Sequence, residues 1–189
     1  MSHDPALDAH EHAEHAEHAA HEGTPFLAKV SITVAVLAVM AATAGSLETV
    51  EGGRAITESS EAVLAQDKAT DAWNEYQADS LKRHMYDIAA NNAGAHTDEY
   101  KKDSGDERAA QDKARKEAEE FQKQRDEHSK ASAAYEERHH WLTGSATLIE
   151  IGIALSTVAI ITRRSRFWLG AVGLGAVGIT LFAVAYLPL

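Results

Sequence analysis

The most constraining feature of the chain is the run from Trp141 to Leu187, which reads WLTGSATLIEIGIALSTVAIIT, then RRSR, then FWLGAVGLGAVGITLFAVAYL. A bilayer core about 30 Å thick is crossed by roughly 20 consecutive apolar residues of helix. Segments 141–162 and 167–187 each supply such a run. In hydrocarbon every backbone N–H and C=O has to be satisfied within the protein, so spans of this kind are helical. The Arg-rich loop 163–166 is short enough to force the two spans antiparallel. A third span, 26–47, has the same character (FLAKVSITVAVLAVMAATAGSL), with Lys29 near its start able to snorkel to the interface. The expected fold class is all-α: an integral membrane protein with three transmembrane helices and a long extramembrane helical hairpin between the first and second.

That hairpin is segment 48–140. Gly52-Gly53 is expected to be a hinge where the chain leaves the membrane. A helix is then expected from about Thr57 to Asn91, with Ala62, Ala65, Ala69, Trp73 and Tyr76, and also Ala78, Leu81, Met85 and Ile88, at helical spacing. The stretch NNAGAHT at 91–97 is the natural turn, with Gly94 available as a C-cap. A second helix, beginning between Asp98 and Asp106, carries a heptad-like seam of Ala114, Ala118, Phe121, Arg125, His128, Ser132, Tyr135 and His139. A seam that includes one Arg and two His is a weak coiled coil, so the hairpin is expected to bury its apolar face against other subunits.

Charge separates the same segments. The net charge of −11 arises from an acidic middle and from tail 1–25, which has six acids and no Lys or Arg. An acidic middle argues against a nucleic-acid partner. The tail, MSHDPALDAHEHAEHAEHAAHEGTP, has little with which to build a core and reads as disordered. If it turns helical, its His12, His15, His18 and His21 neighbour glutamates and offer a weak site for a divalent metal. The bland alternative is a soluble tail whose charge changes near the ordinary histidine pKa. Ala42-Thr43-Ala44 resembles a signal-peptidase site, but the long acidic leader argues for a retained anchor. Arg163, Arg164 and Arg166 favour the cytoplasmic side. That puts the N-terminus in the cytoplasm and the hairpin outside, in the periplasm if the cell is Gram-negative.

Glu150 stands out among residues that could carry chemistry. It lies nine residues beyond Trp141, which at ~1.5 Å per residue is near mid-membrane. An intramembrane acid is a functional hypothesis by default. Thr143, Ala146, Thr147, Ala154 and Thr157 form a small and polar stripe around it. Glu150 is therefore expected to point into a helix interface, with Thr147 on its own helix and Thr180 of the last span at its depth. A neutral, hydrogen-bonding role is favoured over a proton or cation relay. Gly173, Gly175 and Gly178 match a dinucleotide-binding fingerprint in letters. They lack the preceding strand and the following acid. With Gly170 they are expected to give a smooth helix-packing surface. Glu137 and His140 make a Glu-x-x-His on one helix only, where a di-iron bundle requires one from each of two helices plus further glutamates. With no cysteine and no nucleophile–base set or phosphate loop, no catalytic residue or cofactor is assigned and the chain is expected not to be an enzyme. Expected partners are the lipid bilayer, further copies of the chain (a homo-oligomer) and an unidentified membrane protein.

The block Asp71-Ala-Trp73-Asn-Glu-Tyr76-Gln77-Ala78 with Leu81-Lys82, the charged helix leading to Arg138-His139, and the closing Ile151-Gly-Ile153-Ala154-Leu155-Ser156 with Thr162-Arg163-Arg164 resemble a bacterial integral membrane protein family. It is catalogued as domain of unknown function 4337. The resemblance covers essentially the whole chain and implies this architecture in a bacterial inner membrane, with no established activity. Family members often carry Gln where Glu150 stands, which counts against an obligatory proton relay.

Overall fold

A computed structural model describes residues 25–92 and 94–187. The histidine-rich tail, with the metal-site expectation for His12, His15, His18 and His21, lies outside the described residues. Among the described residues three α-helices follow one another: α1 is Pro25–Asn92, α2 is Thr97–Thr162 and α3 is Ser165–Val184. A 3₁₀ turn, Gly94–His96, joins the first two. Each α-helix includes a stretch long and apolar enough to cross a membrane.

Two expected boundaries are not helix boundaries. α1 continues through Gly52-Gly53 without a hinge, and α2 continues through His140-Trp141. A helix-interior glycine costs about 1 kcal/mol relative to alanine but removes no hydrogen bond, unlike proline. Gly52 also has a packing reason: a Cβ there would come within 3.1 Å of Nδ1 of His139. Composition changes at these points while the backbone does not.

The turns are where the sequence puts them. α1 begins on Pro25, whose missing N–H is harmless in a first turn. Beyond its end Gly94 has φ +55°, the left-handed conformation glycine adopts without strain. Thr97 Oγ1 lies 2.8 Å from the Gly94 carbonyl and 3.2 Å from that of Ala90, which ties the start of α2 to the end of α1. Asp98 and Glu99 in the first turn of α2 complement its dipole. Between α2 and α3 the expected four-residue loop contracts to Arg163 and Arg164, because Ser165 and Arg166 already belong to α3. Arg163 takes φ 53° there, a conformation uncommon for a residue with a Cβ.

Contacts divide the chain into two units, 25–55 with 133–187 and Ile56–Ser132. In the first, the apolar unit, Val30, Val34, Leu37, Ala38 and Ala41 pack with Ile149, Ile153 and Ala159. Phe26, Met40, Phe167 and Trp168 cover that cluster. In the second, the hairpin unit, the buried apolar residues are Ala65, Ala69, Ala72, Ala90, Ala114 and Ala118, all alanine. The α2 seam expected from the heptad is turned inward: Ala114 and Ala118 are buried, and Phe121, Arg125 and His128 half-buried. On α1 the inward row is Ala62, Ala65, Ala69, Ala72, Tyr76, Asp79, Arg83, Tyr86 and Ala90, again at alternating three- and four-residue spacing. The second expected row is not inward. Ala78, Leu81, Met85 and Ile88 all face out.

Candidate functional site

Two polar arrangements and two outward stripes carry the chemistry of the described residues. Within the apolar unit, α1 and α2 are pinned by a polar girdle just past the apolar stretch of α1. His139 Nδ1 donates to the Glu48 carbonyl (3.1 Å), since a carbonyl only accepts. Thr143 Oγ1 donates to Glu48 Oε1 (2.7 Å). One turn along is Glu51, only 3 % exposed. Its Oε1 accepts from Arg54 Nη1 at 3.4 Å, and Oε2 lies 4.0 Å from Arg138 Nη1 without a hydrogen bond. The guanidinium groups of Arg54 and Arg138 both lie over the Tyr135 ring, 5.8 and 5.9 Å from its centre. A buried carboxylate is tolerated where cations offset its desolvation, and here two do so from two helices.

The polar residues of the hairpin seam find partners within the chain. His128 Nδ1 lies 2.7 Å from Glu58 Oε2, and Arg125 Nη1 donates to Gln66 Oε1 at 2.9 Å. Arg83 donates to Gln111 at 2.9 Å, and Ser104 donates to Asp87. Asp79 is buried; its Oδ1 pairs with Lys82 Nζ at 2.9 Å, and the same ammonium reaches Glu107 at 3.5 Å. The hydrogen bond that Lys82 donates to Asp79, then the charges of Asp79 and Glu107, raise the Lys82 pKa above its ordinary 10.5. The Arg and His of this seam thus meet polar partners on the facing helix.

Glu150 does not point into an interface of this chain. It is exposed, as are Thr143, Thr147 and Ala154, whereas Leu142, Ser145, Ala146, Ile149, Ile153 and Ser156 are buried. The buried face of α2 repeats at three and four residues, and Glu150 falls one residue past it, about 100° round the helix. Thr147 bonds back to the Thr143 carbonyl (2.8 Å) and Thr180 to that of Ala176 (2.9 Å). Neither meets Glu150, which has no hydrogen-bond or ion-pair partner among the described residues. The other outward stripe is apolar. Leu81, Met85 and Ile88 are 63, 62 and 63 % exposed, and Ile56, Val63 and Leu64 are exposed on the same helix. Between Ile88 and Trp141 no large apolar residue is exposed on the facing helix.

The glycines of α3 separate by position. A Cβ on Gly175 would come within 2.5 Å of Leu37 Cδ2, one on Gly178 within 2.7 Å of Ile149, and one on Gly170 within 2.8 Å of Leu155. Gly173 faces open space. Ser145 donates to the Gly178 carbonyl at 2.8 Å, a buried bond that needs this close approach. Arg163, Arg164 and Arg166 are all exposed at the α2–α3 turn. Among the described residues no group of three or more His, Asp or Glu, around Glu137 and His140 or elsewhere, is placed to hold a metal.

Nothing in the sequence singles out Glu48, Glu51 or the Trp168–Thr33 hydrogen bond (3.0 Å). The signal for Glu51 was its place beside Arg54, but Arg138 is far along the chain. The profile of the family described as domain of unknown function (DUF4337) matches residues 26–188. No curated protein and no solved structure matches the chain. The chain belongs to the DUF4337 family.

Proposed function

We propose that this member of the family is a membrane-embedded, homo-oligomeric scaffold that acts by interaction and not by catalysis, with its three apolar stretches spanning a bacterial inner membrane. The observation that carries this reading is the inversion of the hairpin unit, with alanines inside and Leu81, Met85 and Ile88 outside on α1. Contiguous apolar surface of this kind in water marks an interaction site. It is confined to one helix, so a two-fold pairing of α1 with α1 of a second copy covers it on both chains at once. Glu150 supports the same conclusion from within the membrane. An ionisable side chain facing lipid is costly, and a second polypeptide against the Thr143, Thr147, Glu150 and Ala154 stripe removes that contact with lipid. The Arg163–Arg166 cluster favours a cytoplasmic α2–α3 turn and N-terminus, with the hairpin in the periplasm.

The chain has no cysteine, so single introduced thiols report cleanly. Met85→Cys is expected to form disulfide-linked dimers in native membranes, while Lys116→Cys, on the outer face of α2, remains uncrosslinked. A strictly monomeric mass in mild detergent together with equal crosslinking at both positions would sink the proposal.

A further inference from the structure

Along the apolar unit, α1 and α3 leave a groove of about 410 Å³ between them. Its walls are Ile32 and Val36 on α1 and Val172, Ala176 and Ile179 on α3. Its floor forms where Leu37 fills the notch left by Gly175. Trp168 and Thr33 join across one end, indole N–H to hydroxyl at 3.0 Å. One turn before Thr33 is the exposed Lys29, whose carbonyl accepts the Thr33 hydroxyl at 2.9 Å. Four residues before Trp168, in the turn that leads into α3, is the exposed Arg164. An apolar channel thus runs up to a tryptophan and then to two cations, one on α1 and one at the N-cap of α3. Arg166 adds charge at that end, and neither 25–47 nor 151–187 contains an acid.

We propose that this groove is a binding site for an anionic phospholipid, with one acyl chain lying between α1 and α3 and the phosphate held by Lys29 and Arg164. Charge complementarity selects this occupant. A zwitterionic lipid fills the groove but presents the two cations with a compensated headgroup. A packed helix from another copy would bring the same cations to face its own. Basic residues beside a groove between spanning helices are the usual receivers of acidic headgroups, and tryptophan favours the level at which headgroup meets chain.

The full chain in mild detergent, given phosphatidylglycerol or phosphatidylcholine of the same acyl composition, tests this by native mass spectrometry. Phosphatidylglycerol is expected to be retained in preference. Lys29→Gln and Arg164→Gln are each expected to reduce its retention about fivefold. Ala176→Phe, which fills the groove without touching the cations, is expected to reduce retention of the bound lipid as well, and Lys116→Gln to leave it unchanged. Far-UV circular dichroism identifies any variant that has not folded, and Lys29→Gln and Ala176→Phe probe the two halves of the site separately. Equal retention of the two lipids by the wild-type chain overturns the proposal. So does an Ala176→Phe variant that changes oligomeric mass while phosphatidylglycerol retention stays intact, which would make the groove an interface between copies.

Discussion

The apolar unit and the hairpin unit use one spacing and opposite chemistry. In both, inward positions recur at three and four residues. In the apolar unit they hold Val30, Val34, Leu37, Ile149 and Ile153; in the hairpin unit they hold alanines interleaved with Asp79, Arg83, Gln111, Arg125 and His128. Burying an alanine removes little apolar area, so the hairpin gains little from the hydrophobic effect. Its register comes from cross-helix hydrogen bonds, each worth about 1 kcal/mol. The apolar unit gains from close approach instead, with glycines on α3 receiving side chains of α1 and α2. A shared heptad therefore says which residues meet, but not what holds them together.

The comparison is broken most severely by a substitution at the closest approach. Gly178→Leu places its first carbon against Ile149 and the Ser145 carbonyl, and is expected to cost about 3 kcal/mol. Thermal unfolding of the full chain in mild detergent, followed by circular dichroism, measures it; a midpoint within a degree of wild type contradicts the close packing. Ala118→Leu at the fully buried hairpin seam is expected to cost about 2 kcal/mol by the same measurement. If it stabilises instead, the alanine face is loosely packed and the contrast with the apolar unit weakens. His128→Ala removes a partly exposed pair with Glu58 and is expected to cost about 0.5 kcal/mol, with no added loss in the double variant lacking both side chains. The smallest effect is a pH dependence. Lys82 has a raised pKa in the fold, so its contribution is fully present below its ordinary 10.5 and is lost as pH rises through the folded value above that. The hairpin's melting temperature is expected to fall more steeply above pH 10.5 in wild type than in Lys82→Met.

These contrasts also mark how far the residues alone could be read. The three stretches long and apolar enough to cross a membrane and the turn near Gly94 follow from length and from backbone chemistry that few residues satisfy. The α2 seam from Ala114 to His139 follows from period alone. On α1 two apolar rows compete, one of alanines and one containing Leu81, Met85 and Ile88, and greater apolarity favours the wrong one. On the alanine face Arg83 meets Gln111 of α2, and Asp79 holds Lys82, which reaches Glu107 of α2, pairings visible only once the helices are side by side. The orientation of Glu150 was lost for a related reason. Breaking α2 at His140 discards its phase, whereas continuing the seam from His139 through Leu142, Ala146, Ile149 and Ile153 leaves Glu150 outside. Glu51 was hidden because its second cation belongs to another helix.

The two-residue turn at Arg163 and Arg164 bears on how the protein is made. A connection this short gives the end of α2 and the start of α3 no freedom to choose sides independently. Two stretches apolar enough to cross a membrane and joined this tightly would enter a bilayer as a single unit. The orientation of α3 there would follow from that of α2.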